Sequence, residues 1–229
     1  MTPQAVMIFA AGLGTRMGEL TRSRPKALIE VAGRPLIDHA LALARAAGVP
    51  RIVVNTHAHA GQLRDHLAGT APDVLLSHEP RLLDTGGGLR RALPLLGPGP
   101  VFTLNADMVW TGPNPLATLA ADWRGPEAKG GALLALVPRA AATGHAGPGD
   151  FFTDPLRRRG DAPAAPFVYA GAGIIDPTAL AAVPEEVFSL NPVWDALLAR
   201  GRLRATLHPG GWADVGRPEG IALAEALLA

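Results

Sequence analysis

Short apolar runs alternate with amphipathic stretches through the first half of this chain, and that alternation limits the fold more than any other feature. The runs AVMIF (5–9), RIVVN (51–55), DVLLS (73–77) and VFTLN (101–105) read as buried strands. Between the first two, Leu36, Ile37, Ala40, Leu41, Leu43, Ala44 and Ala47 recur at helical spacing over residues 35–47, with Gly48 placed to end the helix. Residues 61–68 and 87–96 predict two further helices, the second kinked at Pro94. Strands joined through helices imply βαβ crossovers. GGALLALVP (130–138) and FVYAGAGII (167–175) add strands, and helices are expected at 192–199 and 218–228. The expected fold is α/β, a Rossmann-like, mostly parallel sheet flanked by helices, in one domain over residues 1–229. Residues 139–166 are rich in Gly, Pro and charge and read as an irregular insertion, loops around a hairpin, over one end of the sheet.

A chain of 229 residues that is 48% hydrophobic can bury a sizeable core. Its 21 Lys and Arg against 20 Asp and Glu leave a net charge of +1, so no global field points to nucleic acid or a membrane. Any anion site must be local. The absence of cysteine excludes disulfide and thiolate chemistry. No apolar run approaches the roughly 20 residues that span a bilayer, and no basic region precedes the first run as in a signal peptide. A cytoplasmic protein is expected, with its oligomeric state left open and a monomer sufficient.

The segment AAGLGTRM (10–17) directly follows the first strand. Without a Cβ, Gly12 and Gly14 let the backbone approach a phosphate and turn successive N–H groups toward it. The segment is not a P-loop, which requires a Gly-Lys-Ser/Thr ending, and Met17 stands where a dinucleotide fingerprint needs its third glycine. A tight turn carrying an exposed arginine fits the pattern equally well. Arg16 lies within the loop, however, and Lys26 follows in RPKAL (24–28). A forked guanidinium and a compact ammonium so close to the glycines suit a triphosphate better than a single phosphate.

AAGLGTRM, RPKAL and VAGRPLI (31–37) together resemble the signature of the sugar-1-phosphate nucleotidylyltransferases. The resemblance implies that the loop wraps a nucleoside triphosphate through Ala11, Gly12, Gly14, Thr15, Arg16 and Met17, with Arg16 on the leaving phosphates and Lys26 on the reacting ones. Relatives usually read Pro-Lys-Pro, and Ala27 here loosens that turn while keeping the charge.

Nucleotidyl transfer brings an anionic acceptor to an anionic α-phosphate, a repulsion that a divalent cation on carboxylates relieves. Asp107 closely follows the fourth strand, where open α/β sheets bind ligands, and Asn105 two residues earlier can share its face. Position alone fits a metal ligand or a cap for the helix after WTGPNP. Asp214 in WADVGRPE is likewise either a ligand or a turn acid ahead of the last helix. The resemblance matches Asp107 to an Asn-x-Asp element and Asp214 to an Asp-Val-Gly element that together hold Mg²⁺, and it requires the two to converge across more than 100 residues.

LLDTGGGLRRALPLLG (82–97) puts three glycines at a strand-to-helix junction, either a flexible helix start or bare backbone against a base. The resemblance favours base contacts from Thr85, Gly87 and Gly88, with Asp84 replacing a more usual Glu. It also assigns Asp150 of GPGDF and Gly171 of YAGAGII to the sugar, although Asp150 equally suits a solvated loop. Trp212 either walls the pocket or fills the core. His57 and His59, and the run Arg157-Arg158-Arg159, read as loop and solvated turn.

The implied reaction is Mg²⁺-dependent transfer from an NTP to a sugar 1-phosphate, giving an NDP-sugar and pyrophosphate. No protein nucleophile is required, because the acceptor oxygen is already ionised. The chain looks most like the small uridylyltransferases that act on N-acetylmuramate 1-phosphate in peptidoglycan recycling. Mannose-1-phosphate guanylyltransferase is the runner-up, followed by a non-catalytic nucleotide-binding regulator of the same fold.

Overall fold

The computed structural model describes residues 2–124 and 129–229. Its strands are β1 (Ala5–Phe9), β2 (Glu30–Val31), β3 (Arg34–Pro35), β4 (Arg51–Thr56), β5 (Leu75–His78), β6 (Val101–Asn105), β7 (Met108–Trp110), β8 (Ala132–Pro138), β9 (Ala142–Thr143), β10 (Phe151–Thr153), β11 (Leu156–Arg158), β12 (Phe167–Ile175), β13 (Leu203–Leu207) and β14 (Trp212–Asp214). The α-helices are α1 (Leu36–Ala46), α2 (Ala60–Thr70), α3 (Asp84–Leu96), α4 (Pro115–Asp122), α5 (Asn191–Ala199) and α6 (Glu219–Leu228).

Both faces of the main sheet are covered at its centre, which explains why the central strands β1 and β8 are continuously apolar. Alternate residues of β1 serve two different cores. Val6 and Ile8 pack with Ile37, Ala40 and Leu41 of α1, whereas Ala5 and Met7 pack with Leu89, Ala92 and Leu96 of α3. β8 divides in the same way, Leu133 and Ala135 on the α1 side and Leu134 and Leu136 on the α3 side.

The strands β5, β4, β1 and β6 form a parallel block in that order. β12 then runs antiparallel to both β6 and β8, and β13 closes the edge parallel to β8. The sheet is therefore mixed, with the expected parallel half carrying the glycine loop. The insertion contains the short β10–β11 hairpin, which pairs onto β12 at Phe151–Phe167. A second, three-stranded sheet of order β7-β14-β9 stands beside the first. Met17, Ile29, Val31, Leu36, Val109, Ala213, Val215 and Ala224 form a third core beneath it.

Several boundaries differ from the sequence reading. α3 begins at Asp84, so all three glycines lie inside the helix, and it continues through Pro94 to Leu96. α2 extends to Thr70. β13 was not expected, because Arg204 and Thr206 interrupt its apolar character at the sheet edge. Among the described residues, no helix is long and apolar enough to cross a membrane.

Candidate active site

The loop after β1 hangs from a buried side chain. Ala10 and Ala11 donate their backbone N–H groups to Asn55 Oδ1 at 2.7 and 3.2 Å. Asn55 in turn donates Nδ2 to Glu79 Oε1 at 2.7 Å, and Glu79 Oε2 accepts the N–H of Leu83 at 2.9 Å. Glu79 is 0% exposed, and a carboxylate in such a place must be hydrogen-bonded through both oxygens or carry a heavy desolvation cost. The pair ties the loop to the start of α3. Gly88 makes room for it: a Cβ there would stand 2.5 Å from Glu79 Oε1 and 3.0 Å from Asn55 Nδ2.

Beyond Ala11 the loop is open. Gly12 has nothing within 4 Å of where a Cβ would be, and Thr15 and Arg16 are exposed. Gly14 starts a 3₁₀ segment (Thr15–Thr21), and its carbonyl accepts Met17 N–H at 2.8 Å and Thr21 Oγ1 at 3.0 Å. Met17 points inward. Its side chain is 1% exposed within the third core and its N–H is already bonded, so this loop residue anchors rather than faces the cleft.

Lys26 and Asp107 meet directly, Nζ to Oδ2 at 2.5 Å. Lys26 is held by a turn in which Leu28 and Ile29 donate to the carbonyls of Pro25 and Lys26, with Ala27 buried against the core. Ala27 therefore keeps the turn closed. Asp107 leaves the C-terminal end of β6, where Ala106 N–H bonds Phe9 O. It does not cap the following helix. Asn114 does so, accepting from Leu116 and Ala117.

The second sheet brings the distant aspartate to the same place. β14 pairs with β7 so that Asp214 lies opposite Met108, and Val215 donates its N–H to the carbonyl of Asp107 at 3.0 Å. Asp214 Oδ1 is buried with no hydrogen-bond partner. Burial first, and then the negative charge of Asp107, hold the Asp214 carboxyl above the usual carboxylate range, while Lys26, Arg16 and His145 pull it down. Arg16 Nη2 reaches over Gly216, 3.2 Å from the position of an added Cβ.

A cleft of about 460 Å³ joins these elements, with Ala11, Gly12, Asn105 and Asp107 on one side and Leu82, Asp84, Thr85 and Val187 on the other. The glycines of α3 do not face it. Gly86 and Gly87 pack against the segment ending at Phe188 and donate both N–H groups to its carbonyl. Gly87 and Gly88 thus serve close packing, and the residues left facing the cleft are Asp84 and Thr85. Asp84 begins the helix at φ +61 and accepts Thr85 N–H at 2.6 Å.

A neighbouring space of about 310 Å³ shares Phe9, Asp84, Thr85 and Asn105 and continues to Tyr169, Asn191 and Trp194. Gly171 lies at the bulge in β12 with φ +78, and the Asn105 side chain lies on it, 2.8–3.0 Å from where a Cβ would stand. Only glycine permits both that backbone angle and that approach. Asp150 is less available than its loop suggests, since Oδ2 accepts Tyr169 N–H at 2.9 Å. Trp212 is core, its Nε1 bonded to Ala170 O at 2.9 Å.

Residues 6–207 match the model of the MobA-like NTP transferase domain. The chain belongs to that family. Among the relatives of this MobA-like NTP transferase is the N-acetylmuramate alpha-1-phosphate uridylyltransferase of Caulobacter vibrioides, 43% identical over 99% of this chain and 98% of the relative. A protein of the same name from Neisseria meningitidis serogroup B is 35% identical over 96% of both chains. In fold, the MobA-like NTP transferase is similar to a candidate glucose-1-phosphate thymidylyltransferase of Bacillus anthracis solved with sucrose. The TM-score is 0.81 at 18% identity, covering 97% of this chain and 94% of that one.

Asp107, Asp214, Lys26 and Arg16 thus converge at one end of the MobA-like NTP transferase cleft, while Asp150 stands apart in the insertion. Sequence reading missed Asn55 and Glu79, whose importance is a buried hydrogen-bond pair joining β4 to the loop after β5. The polar Asn55 directly after the apolar run Ile52–Val54 of β4 was the one available signal.

Two carboxylates with an unpartnered buried oxygen suit a hard divalent cation such as Mg²⁺, which takes one or two protein carboxylates and completes its shell with phosphates and water. Among the described residues, no group of three or more acidic or histidine side chains competes for that role.

Proposed function

We propose that the chain transfers the uridylyl group of UTP to N-acetylmuramate 1-phosphate, releasing pyrophosphate. The observation that carries this reading is the meeting of Lys26, Asp107 and Asp214 beside the glycine loop, in a chain that shares almost its whole length with two uridylyltransferases of that name.

An oxygen of the acceptor phosphate attacks the α-phosphorus of UTP in line. The new O–P bond forms as the α–β bridging P–O bond breaks, and its electron pair leaves on pyrophosphate. The chain contributes position and charge. Backbone N–H groups beyond Ala11, together with Arg16, hold the departing phosphates. Lys26 lies against the reacting ones once it exchanges Asp107 for phosphate oxygen. Asp107 and Asp214 would hold Mg²⁺, which when bound offsets negative charge on the nucleotide and on the leaving group. Asp84, Thr85 and Val187 border the base, and Asn105 with Gly171 borders the sugar.

UTP and a sugar phosphate as substrates go with a cytoplasmic location and with peptidoglycan recycling. The test is a matrix of NTPs against sugar 1-phosphates with Mg²⁺, followed by pyrophosphate release. UTP with N-acetylmuramate 1-phosphate is expected to give the highest kcat/KM. Faster turnover of GTP with mannose 1-phosphate would reassign the substrates, and no release with any pair would mean a non-catalytic nucleotide binder.

A further inference from the structure

We propose that the cavity formed by the insertion is a carboxylate-reading subsite for the acceptor, in which Arg159, supported by Arg158, grips an acid group carried on the sugar ring. The inference rests on the acceptor proposed above. N-Acetylmuramate 1-phosphate differs from N-acetylglucosamine 1-phosphate by a lactyl ether, whose carboxylate is a second anion remote from the reacting phosphate.

The cavity measures about 610 Å³ and lies between the His145–Asp150 segment, the end of the β10–β11 hairpin and Asp195 of α5. It adjoins the reaction centre on one side. Gly144, just before His145, sits against the backbone of Asp214, 2.5 Å from the Asp214 carbonyl at the position of an added Cβ. It adjoins the acceptor-side cleft on the other. Asp150 accepts Tyr169 N–H, and Arg158 Nη2 donates to Asn191 Oδ1 at 2.9 Å, with Tyr169 and Asn191 both facing that cleft.

The two arginines differ in what already holds them. Arg158 is engaged by Asn191 and by Asp195, Nε to Oδ1 at 3.3 Å, with its guanidinium over the Phe151 ring. Arg159 is fixed along one edge, Nη1 donating to Ala162 O at 2.7 Å, while its own N–H bonds Asp150 O. It forms no ion pair with any carboxylate among the described residues. Asp195 is paired with Arg158, and Asp150, which keeps its charge in the cavity wall, is turned onto the Tyr169 N–H through Oδ2 and forms no ion pair with Arg159.

A half-buried guanidinium that has given up part of its hydration and has no ion-pair partner is a receptor for an incoming carboxylate. Its fork matches the two carboxylate oxygens, which a lysine could not do as well. The acceptor's phosphate does not need this group, since Lys26 and the aspartates lie at the other end. The run of arginines is thereby divided: Arg157 stacks on Phe152 at the surface, and its two neighbours face the cavity.

The test compares N-acetylmuramate 1-phosphate with N-acetylglucosamine 1-phosphate at saturating UTP, the second measured as a substrate or, where turnover is slow, as a competitive inhibitor. In Arg159→Gln, KM for the muramate substrate is expected to rise about tenfold, the usual effect of losing one charge-assisted pair. Its kcat and the KM for UTP change little. The loss is confined to the ligand carrying the carboxylate, so the preference between the two sugars shrinks by the same factor. Arg159→Lys restores part of it, and Arg158→Gln gives a smaller shift in the same direction. Equal weakening toward both sugars, or an unchanged preference in both glutamine variants, overturns the subsite. A wild-type protein that turns over a different sugar phosphate instead overturns the proposed function, which is a separate result.

Discussion

Lys26 Nζ lies 2.5 Å from Asp107 Oδ2, although 81 residues separate the two in the chain. The pair is only partly shielded, so its net contribution to stability is modest, on the order of 1 kcal/mol. In the proposed transfer its contribution is larger, because both groups would face charge that changes during reaction. Lys26→Ala and Asp107→Ala are each expected to lower kcat by about 10²–10³-fold, the range for removing one preorganised charge partner. Chemical denaturation should register only a small loss. Near-normal turnover of folded Asp107→Ala would remove that residue from the site.

Asp214 gives a prediction of opposite sign for stability and activity. Its carboxyl is held above the ordinary value by burial and by Asp107, so the folded chain binds the proton more tightly than the unfolded one. Stability therefore falls as pH rises from the ordinary carboxylate value through the raised one. Asp214→Asn eliminates that loss and should melt at a higher temperature than wild type at neutral pH, while turnover collapses. Melting curves across pH 4 to 8 check it, and a variant less stable at neutral pH would contradict it.

Two glycines separate packing from ligand contact. Gly12→Ala meets nothing within 4 Å and should fold like wild type, with any loss appearing in nucleotide affinity. Gly88→Ala drives a methyl into the Asn55–Glu79 pair. The expected cost is about 1–3 kcal/mol, as for other overpacked interiors, accompanied by weaker nucleotide binding as the loop loses its anchor. Denaturation midpoints and UTP titration distinguish the two.

His208 supplies an acid-side prediction. Burial holds its imidazole below the usual histidine value, outweighing hydrogen bonds to Thr111 and Gly211, and its ring meets Trp110 edge-on at 4.8 Å. The unfolded chain then takes up a proton near its ordinary pKa of about 6.5 while the folded chain resists. Stability should fall as pH drops below that value. In His208→Asn the slope of melting temperature against pH between about 5 and 6.5 flattens, whatever the variant's absolute stability; an unchanged slope would assign the acid sensitivity elsewhere.

The alternation of strands and helices was legible because both faces of β1 and β6 are covered, so β1 is apolar throughout and β6 is interrupted before its final Asn105 only by Thr103. Asp107 and Asp214 were legible as separate motifs, but their meeting depends on β7 and β14, three-residue strands that leave no periodic signal. The glycines of α3 were read as ligand backbone because sequence does not show which atoms fill the space of a missing Cβ. Here Phe188, Glu186 and Glu79 do so. The motif places Met17 with its loop, although its apolar side chain joins Ile29, Val31 and Leu36 in a core.

The Asn55–Glu79 pair hangs two walls of the cleft from one internal link. The backbone proposed to receive phosphate and the helix start proposed to border the base are suspended from one internal pair, whose side-chain hydrogen bonds all fall within residues 10–83. A recombinant chain with its crossover in the turn after α3 would inherit that suspension whole, while Asn105, Asp107 and Val187 of the same cleft would come from the other parent. Redesign of the base at Asp84 or Val187 leaves that suspension intact, whereas redesign at Glu79 would move the phosphates as well.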